Sequence, residues 1–390
     1  MRIAGDWLDA PATRAVCAAL TAQGDRALFV GGCVRNALLG RPVADIDIAT
    51  DAPPERTITL AEAAGLHPVP TGLAHGTITV VADHRPYEVT TFRRDVETTG
   101  RHAVVAFTTD VVEDARRRDF TMNALYADPD GEVVDPLGGL PDLLARRVRF
   151  VGDPAERITE DYLRILRFFR IHAWYGDPSG GIDPEGLAAC AALQDGLERL
   201  SRERVGAETG KLLAADDPAP AVAAMAATGI LARLLPGADA TALAPLIHVE
   251  AMAGVAPDWR RRLAALGGDA GSAETLRLSR ADARAVAAIR SALADGLACA
   301  ASAWRHGADA GRDAALIVAA ATGSAPPADL AAELARGAAA RLPLAAADLD
   351  LEGPALGAAL RRAEAAWLAT DLRLDANAVR AAALRPAAAG

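Results

Sequence analysis

The hydrophobic and polar positions of the chain fall into two regimes. Up to about Val151, short apolar runs alternate with turns; beyond it, and wholly so from about Gly181, the spacing is helical. The stretch Leu28 to Thr50, LFVGGCVRNALLGRPVADIDIAT, opens with an apolar run ending at Val30 and breaks at Gly31-Gly32. It continues one-sided from Val34 to Leu39, turns at Gly40-Arg41-Pro42 and resumes as Asp45-Ile46-Asp47-Ile48. That order predicts strand, glycine turn, helix, turn, strand. Residues up to about 25 precede it as a helix, with Leu8, Val16 and Leu20 as its buried positions. Thr50-Asp51 followed by Pro53-Pro54-Glu55 starts another helix, running to about Ala64. Gly72 to Gly76 turns, Thr77 to Ala82 alternates as a strand, Asp83 to Pro86 turns and Tyr87 to Thr91 returns. The expectation is a mixed sheet with helices on one side, closed by a last strand over Val148 to Val151.

A strand's period of two sets Asp45 and Asp47 on one face and sends Ile46 and Ile48 into the core. Two adjacent carboxylates repel unless a cation lies between them. Hard oxygen donors without nearby His or Cys suit Mg²⁺, which keeps several waters and completes its shell with substrate phosphates. Gly31 and Gly32 let the backbone approach an anion at the start of a helix. Taken singly, GG is a tight turn and D-I-D an exposed strand face; the ordered pair, with Arg35 on the helix between, favours a nucleotide site. Glu88, between Tyr87 and Val89, is either a third carboxylate or a solvent-facing strand residue.

Two later segments carry chemistry. In Arg116-Arg117-Arg118-Asp119-Phe120-Thr121-Met122-Asn123, three guanidiniums precede a segment that Phe120, Leu125 and Tyr126 draw into the core, and bidentate binding of triphosphate or ribose is their natural use. In Glu160-Asp161-Tyr162-Leu163-Arg164-Ile165-Leu166-Arg167-Phe168-Phe169-Arg170, the residues Asp161, Arg164, Arg167 and Arg170 recur every three positions, which on a helix makes one polar stripe. An ordinary amphipathic helix with a salt bridge from Asp161 to Arg164 gives the same pattern. From about Gly181 onward, Leu187 to Leu200, Val205 to Ala215, Pro220 to Leu235 and Ala281 to Gly296 predict helices separated by Gly, Pro and Asp. Trp259-Arg260-Arg261-Arg262 reads as a helix end with solvated arginines, with contact to an RNA backbone as the second possibility.

A chain of 390 residues exceeds the size at which a single core stops growing, about 250 to 300 residues, so more than one domain is expected. The net charge of −10 excludes tight, unselective nucleic-acid binding and leaves room for local basic patches, built from arginine with Lys211 as the one lysine. Cys17, Cys33, Cys190 and Cys299 are scattered without a CxxC spacing, as in a reducing compartment. MRIAGDWLDAPATR has no apolar signal core and no stretch approaches a membrane span, so a cytoplasmic protein without membrane contact is expected.

VGGCVRNALLGRPVADIDIAT resembles the nucleotidyltransferase superfamily, in the class II branch of CCA-adding tRNA nucleotidyltransferases and bacterial poly(A) polymerases; Asn36 departs from that family's usual Asp. RRDFTMN resembles its second motif, EDYLRILRFFR its base-selecting motif, and DPLGGLPDL the hinge after the head. The resemblance implies an α/β nucleotidyltransferase head over 1–145, a helical neck with the nucleotide-selecting helix over 146–215, and an all-α body and tail over 216–390 that binds tRNA. It implies CTP and ATP as substrates and two Mg²⁺ ions on Asp45 and Asp47, with Glu88 as a further catalytic carboxylate. Gly31, Gly32, Arg35, Arg118, Asp119, Asn123, Asp161, Arg164, Arg167 and Arg170 would bind the nucleotide. Arg93 to Thr109 looks like a flexible loop that CCA-adding members carry and CC-only adders shorten. TGLAHGTITV lacks the basic, aromatic stretch of the poly(A) polymerase branch. An RNA-binding protein without catalysis could share this fold, although the intact Asp45-Asp47 pair argues against it. A small-molecule nucleotidyltransferase shares GG and DxD but needs no long helical tail. Oligomeric state is not legible.

Overall fold

A computed structural model of the chain describes residues 1–99, 102–269 and 271–385. The chain divides after Ser201 into two compact units. The first holds a seven-stranded mixed sheet with helices; the second is helical. The neck range 146–215 straddles that division.

The sheet of the first unit is ordered β3 (His67–Gly72), β4 (Thr77–Ala82), β5 (Arg85–Thr91), β2 (Asp47–Thr50), β1 (Ala27–Val30), β8 (Tyr126–Ala127) and β9 (Val133–Val134). Every residue of β1 is buried, as its central place requires. Ala27 and Phe29 face one side with Ile48, Val80, Tyr87 and Val89, while Leu28 and Val30 join Ala49, Phe92, Tyr126 and Val151 in a cluster on the other. The first face is covered by α2 (Pro11–Thr21) and α4 (Pro54–Ala63), whose buried residues include Val16, Leu20 and Leu60. Thr13 anchors the hydroxyl of Tyr87 at 3.0 Å.

Several expectations change. The N-terminal helix is two, α1 (Asp6–Asp9) and α2, because Pro11 forces Ala10 into an extended conformation. Leu8, Val16 and Leu20 are buried as expected. The strand after the Gly40 turn starts at Asp47, so Asp45 lies in the segment leading into it; the ladder begins only where β5 supplies a partner, Glu88, for Asp47. Strand β3 is hidden in the sequence because Pro68 and Pro70 break the strand pattern, which an edge position tolerates. The expected last strand is an isolated bridge from Phe150 to Phe120. The loop expected after β5 is an antiparallel hairpin of β6 (Arg93–Thr99) and β7 (His102–Phe107); its middle, Gly100 and Arg101, lies outside the described residues.

The first unit continues through α5 (Val111–Arg116), α6 (Leu140–Leu144), α7 (Pro154–Glu160), α8 (Leu163–Tyr175) and α9 (Pro184–Ala192). The second unit includes α10 (Arg202–Leu213), α11 (Ala219–Ala227) and α12 (Ile230–Leu234), the last two separated where Gly229 takes a φ of 82°. It goes on through α13 (Leu243–Met252) and α14 (Trp259–Leu266) and later helices to Leu384. Arg261 and Arg262 on α14 are neither solvated nor turned towards a ligand: each is 1% exposed. Glu250 of α13 takes Arg261 at 2.7 Å and Arg262 at 2.7 Å, and Asp313 takes Arg261 at 3.0 Å. Main-chain oxygens of Leu213 and Ala256 accept further donors at 2.7 Å each. Among the described residues no helix is long and apolar enough to cross a membrane.

Candidate active site

The sheet assembles the carboxylates. Strand β2 runs parallel to β5 with Asp47 opposite Glu88, and antiparallel to β1 with Ile48 opposite Phe29. Ile46 and Ile48 are buried; Asp47 is half-buried, and Asp45 and Glu88 are exposed. Burial raises the Asp47 carboxyl above its ordinary range, Glu88 and Asp45 push it further up, and Arg118 opposes them. The site thus concentrates negative charge on oxygen donors at the open end of a strand. Among the described residues no group of three or more His, Cys, Asp or Glu is placed to hold a metal ion. Two carboxylates at the start of a strand, Asp45 just before it and Asp47 its first residue, fit Mg²⁺, which needs only one or two and takes other ligands from water and phosphate.

Beside the carboxylates, β1 turns into α3 (Gly32–Leu38) at Gly31, whose φ of 70° and ψ of −116° suit glycine alone. Gly32 has helical geometry, and a Cβ there would meet nothing nearer than Arg35 at 3.8 Å, so the turn itself requires only the first glycine. Arg118 reaches the turn, with Nη1 3.5 Å from where a Cβ on Gly31 would stand.

The three successive arginines have three different fates. Arg116 is exposed. Arg117 and Arg118 converge on Asp114, about one helical turn earlier in the chain, at 2.9 and 3.0 Å. The hydroxyl of Tyr126 donates to Asp114 at 2.6 Å and accepts from Arg118 Nε at 3.0 Å. Burial alone would raise the Asp114 carboxyl; Arg118, Arg117 and Tyr126 outweigh it and hold it at about 2. Asp114 is absent from the residues that the sequence singles out, although its i, i+3 and i, i+4 spacing to two arginines is a usable signal.

A second buried chain of contacts follows. Asp119 accepts from its neighbour Phe120 N–H at 2.9 Å, from Asn123 Nδ2 at 3.0 Å and from Arg167 Nε at 2.8 Å. Burial opposes its ionised form, and Arg167 with these hydrogen bonds more than compensates, leaving its pKa lowered. Asn123 Oδ1 in turn accepts from Arg35 Nη1 at 2.5 Å. Asn36 Oδ1 accepts from Arg35 Nη2 at 3.0 Å, and Asn36 Nδ2 donates to the Pro42 carbonyl at 2.9 Å. Arg170 is near enough to Arg35 to disfavour its charge.

Of the polar stripe expected over Asp161 to Arg170, Arg164, Arg167 and Arg170 share one helix, and Asp161 is not on it. Helix α7 stops at Glu160, Asp161 is extended (φ −151°, ψ 105°), and α8 starts at Leu163. Asp161 instead closes α7, and its Oδ1 accepts from Leu163 N–H two residues on, at 3.1 Å. Arg164 is paired with Glu160, not with Asp161, and its guanidinium also reaches the main-chain oxygens of Arg157 (2.8 Å) and Arg117 (3.3 Å). Leu163, Leu166 and Phe169 fill the apolar side. Helix α8 therefore grips the head at three levels: Arg164 on Arg117, Arg167 on Asp119, and Tyr175 on Arg35.

Residues 27–149 match the model of the poly A polymerase head domain, and residues 181–241 that of a "probable RNA and SrmB-binding site of polymerase A". Human mitochondrial CCA tRNA nucleotidyltransferase 1 is 45% identical over 186 residues, which is 47% of this chain and 43% of that protein. The CCA-adding enzyme of Streptococcus gordonii is 44% identical over 198 residues, 50% of this chain and 48% of that protein. The chain thus spans about half the length of the curated relatives it matches. Over the whole chain, the structure of the Bacillus stearothermophilus CCA-adding enzyme in complex with CTP superposes with a TM-score of 0.71 at 29% identity, covering 96% of both chains. The Thermotoga maritima CCA-adding enzyme complexed with tRNA shares the fold at a TM-score of 0.63 and 18% identity, covering 95% of this chain and 93% of that one.

Proposed function

We propose that the chain is a member of the class II family of CCA-adding tRNA nucleotidyltransferases and bacterial poly(A) polymerases, which its head-domain match and its likeness to CCA-adding enzymes support, and that its reaction is addition of C, C and A to the 3′ end of tRNA without a nucleic-acid template. The observation that carries this is the placement of Asp47 beside Glu88, with Arg118 at the Gly31 turn alongside them. The RNA 3′-hydroxyl attacks the α-phosphate of CTP or ATP, and pyrophosphate leaves.

Asp45 and Asp47 would hold two Mg²⁺ ions, which supply a lowered pKa for the attacking hydroxyl and countercharge for the leaving phosphates. Glu88, in register with Asp47, adds a third negative group to the same edge. Arg118 and Arg35 bind the triphosphate: both are fixed by several contacts, so little side-chain freedom is lost on binding. Asp114 and Tyr126 keep Arg118 in place, Asn123 held by Asp119 does so for Arg35, and Asp119, Asn123 and Arg167 border the ribose. Gly31 and Gly32 leave room for the phosphates at the turn.

Asp161 and Arg164 read the base. Cytosine and adenine both present an amino donor beside a ring-nitrogen acceptor, to which a carboxylate and a guanidinium are complementary. Uracil and guanine present the reverse and would leave buried groups unpaired. Arg164 takes its countercharge from Glu160, so the Asp161 carboxylate is not consumed in neutralising it. Arg170 adds positive charge behind Arg35.

In this reading residues 1–145 form the catalytic head, 146–215 a neck that selects the nucleotide, and 216–390 a body and tail that bind tRNA. The β6–β7 hairpin supports complete CCA addition over CC addition alone. The family model names poly A polymerase, which would use ATP alone and extend many RNAs. The test supplies Mg²⁺ and tRNA transcripts ending at the discriminator base, at C or at CC, with one labelled nucleotide at a time. CTP on the first two and a single ATP on the third is the expected result. Long ATP tails on unrelated RNA would replace this reading with poly(A) synthesis, and no incorporation would refute nucleotidyl transfer to RNA.

A further inference from the structure

Arg35 is 7% exposed, and the carboxylate whose charge favours it, Asp119, is joined to it only through Asn123. A cation removed from water without a counter-ion is expensive unless its donors are satisfied and its charge is met by dipoles or an aromatic face. The oxygens that accept from it are neutral: Asn123 Oδ1, Asn36 Oδ1 and the hydroxyl of Tyr175, the last at 2.8 Å. Its Cζ lies 3.8 Å from the centroid of the Tyr175 ring, and Arg41 Cζ lies 5.2 Å from the same ring. Tyr175 is the last residue of α8, the helix that carries Arg164 and Arg167.

We propose that Tyr175 is a positioning residue for nucleotide binding: its ring face and phenol oxygen hold the Arg35 guanidinium towards the triphosphate. Asn36 makes a second contact besides. Its oxygen still accepts from Arg35, while its amide donates to the Pro42 carbonyl, a bond no carboxylate can make. That bond ties the segment leading to Asp45 and Asp47 onto α3. The inference rests on the reading that Arg35 binds the phosphates of CTP and ATP.

The phosphates are common to both nucleotides, so loss of Tyr175 acts on both alike. Tyr175→Leu raises KM about tenfold for CTP and for ATP, with kcat within about threefold of wild type, as loss of one charge-assisted contact requires. Tyr175→Phe keeps the stacked ring, loses the acceptor and raises KM about threefold. Asn36→Asp in the Tyr175→Leu background restores a carboxylate beside Arg35 and returns KM to within about threefold of wild type. A purely structural tyrosine would lower the melting temperature without moving KM. Unchanged KM in both single variants, a change confined to one nucleotide, or no recovery in the double variant overturns the proposal. If Tyr175→Leu does not fold, Tyr175→Phe with and without Asn36→Asp decides it by the same KM readout. If the wild-type protein transfers no nucleotide, the functional reading has failed. The tie is then read by a thermal-stability cycle of Arg35→Met and Tyr175→Leu, where non-additive shifts support it and additive shifts refute it.

Discussion

Asp114→Asn isolates the device that aims Arg118. The Asp114 side chain is 1% exposed and accepts from Arg117, Arg118 and the Tyr126 hydroxyl, with the Arg93 main-chain N–H at 3.3 Å. Its carboxyl stands at about 2 in the folded chain against an ordinary 3.8. A difference of nearly two units corresponds to about 2.5 kcal/mol of stability, at about 1.4 kcal/mol per unit. Because the folded value is the lower one, this contribution is complete above about pH 4 and is lost as the pH falls through about 2. Removing the carboxylate altogether leaves two guanidiniums facing an amide, and breaking a buried pair from one side costs about 3 to 5 kcal/mol. The first unit should therefore be about 3 kcal/mol less stable at pH 7 in the variant. The difference from wild type should shrink between pH 4 and pH 2. Urea unfolding read through Trp7 and Trp174 reports on this unit, and Trp259, Trp304 and Trp367 report on the other. KM for CTP should rise at pH 7 as Arg118 loses its anchor. A variant within about 1 kcal/mol of wild type at pH 7, or a difference that does not change with acid, would refute the assignment.

Asp47→Asn should reduce labelled CTP incorporation to background while the melting temperature holds or rises, since it relieves repulsion with Glu88 and Asp45; retained turnover sinks the metal assignment. Glu160→Gln removes the carboxylate that orients Arg164, and the preference for CTP over UTP should fall about tenfold. An unchanged CTP-to-UTP ratio would detach Arg164 from base reading. Glu250→Gln strands Arg261 and Arg262 in the second unit and should cost it about 3 to 5 kcal/mol in urea unfolding followed through Trp259. A loss under about 1 kcal/mol would show that main-chain oxygens alone hold these arginines.

What the sequence disclosed and what it hid divide along one physical line. Local spacing carries the glycine turn, the alternation around Asp47 and the amphipathic face of α8, because a period of two or of 3.6 is written into neighbouring residues. The partner of a charged group is not written locally. RRR at 116–118 and RRR at 260–262 look alike as strings, yet Arg118 is aimed at the Gly31 turn, while Arg261 and Arg262 are sealed inside a helical core. The difference comes from what other elements bring: Asp114 and Tyr126 to one, Glu250 and Asp313 to the other.

The same limit explains Asp161. Its spacing to Arg164 fits an i, i+3 pair, but an aspartate can also end a helix and bond the main chain two residues on, as Asp161 does while Glu160 pairs with Arg164. That break matters for the proposed chemistry. On one continuous helix, Asp161 and Arg164 would neutralise each other and have little left for a base. In the proposed reading Arg164 draws its countercharge from Glu160 across the break, and a carboxylate and a guanidinium with opposite hydrogen-bonding roles are what discrimination between C or A and U or G demands.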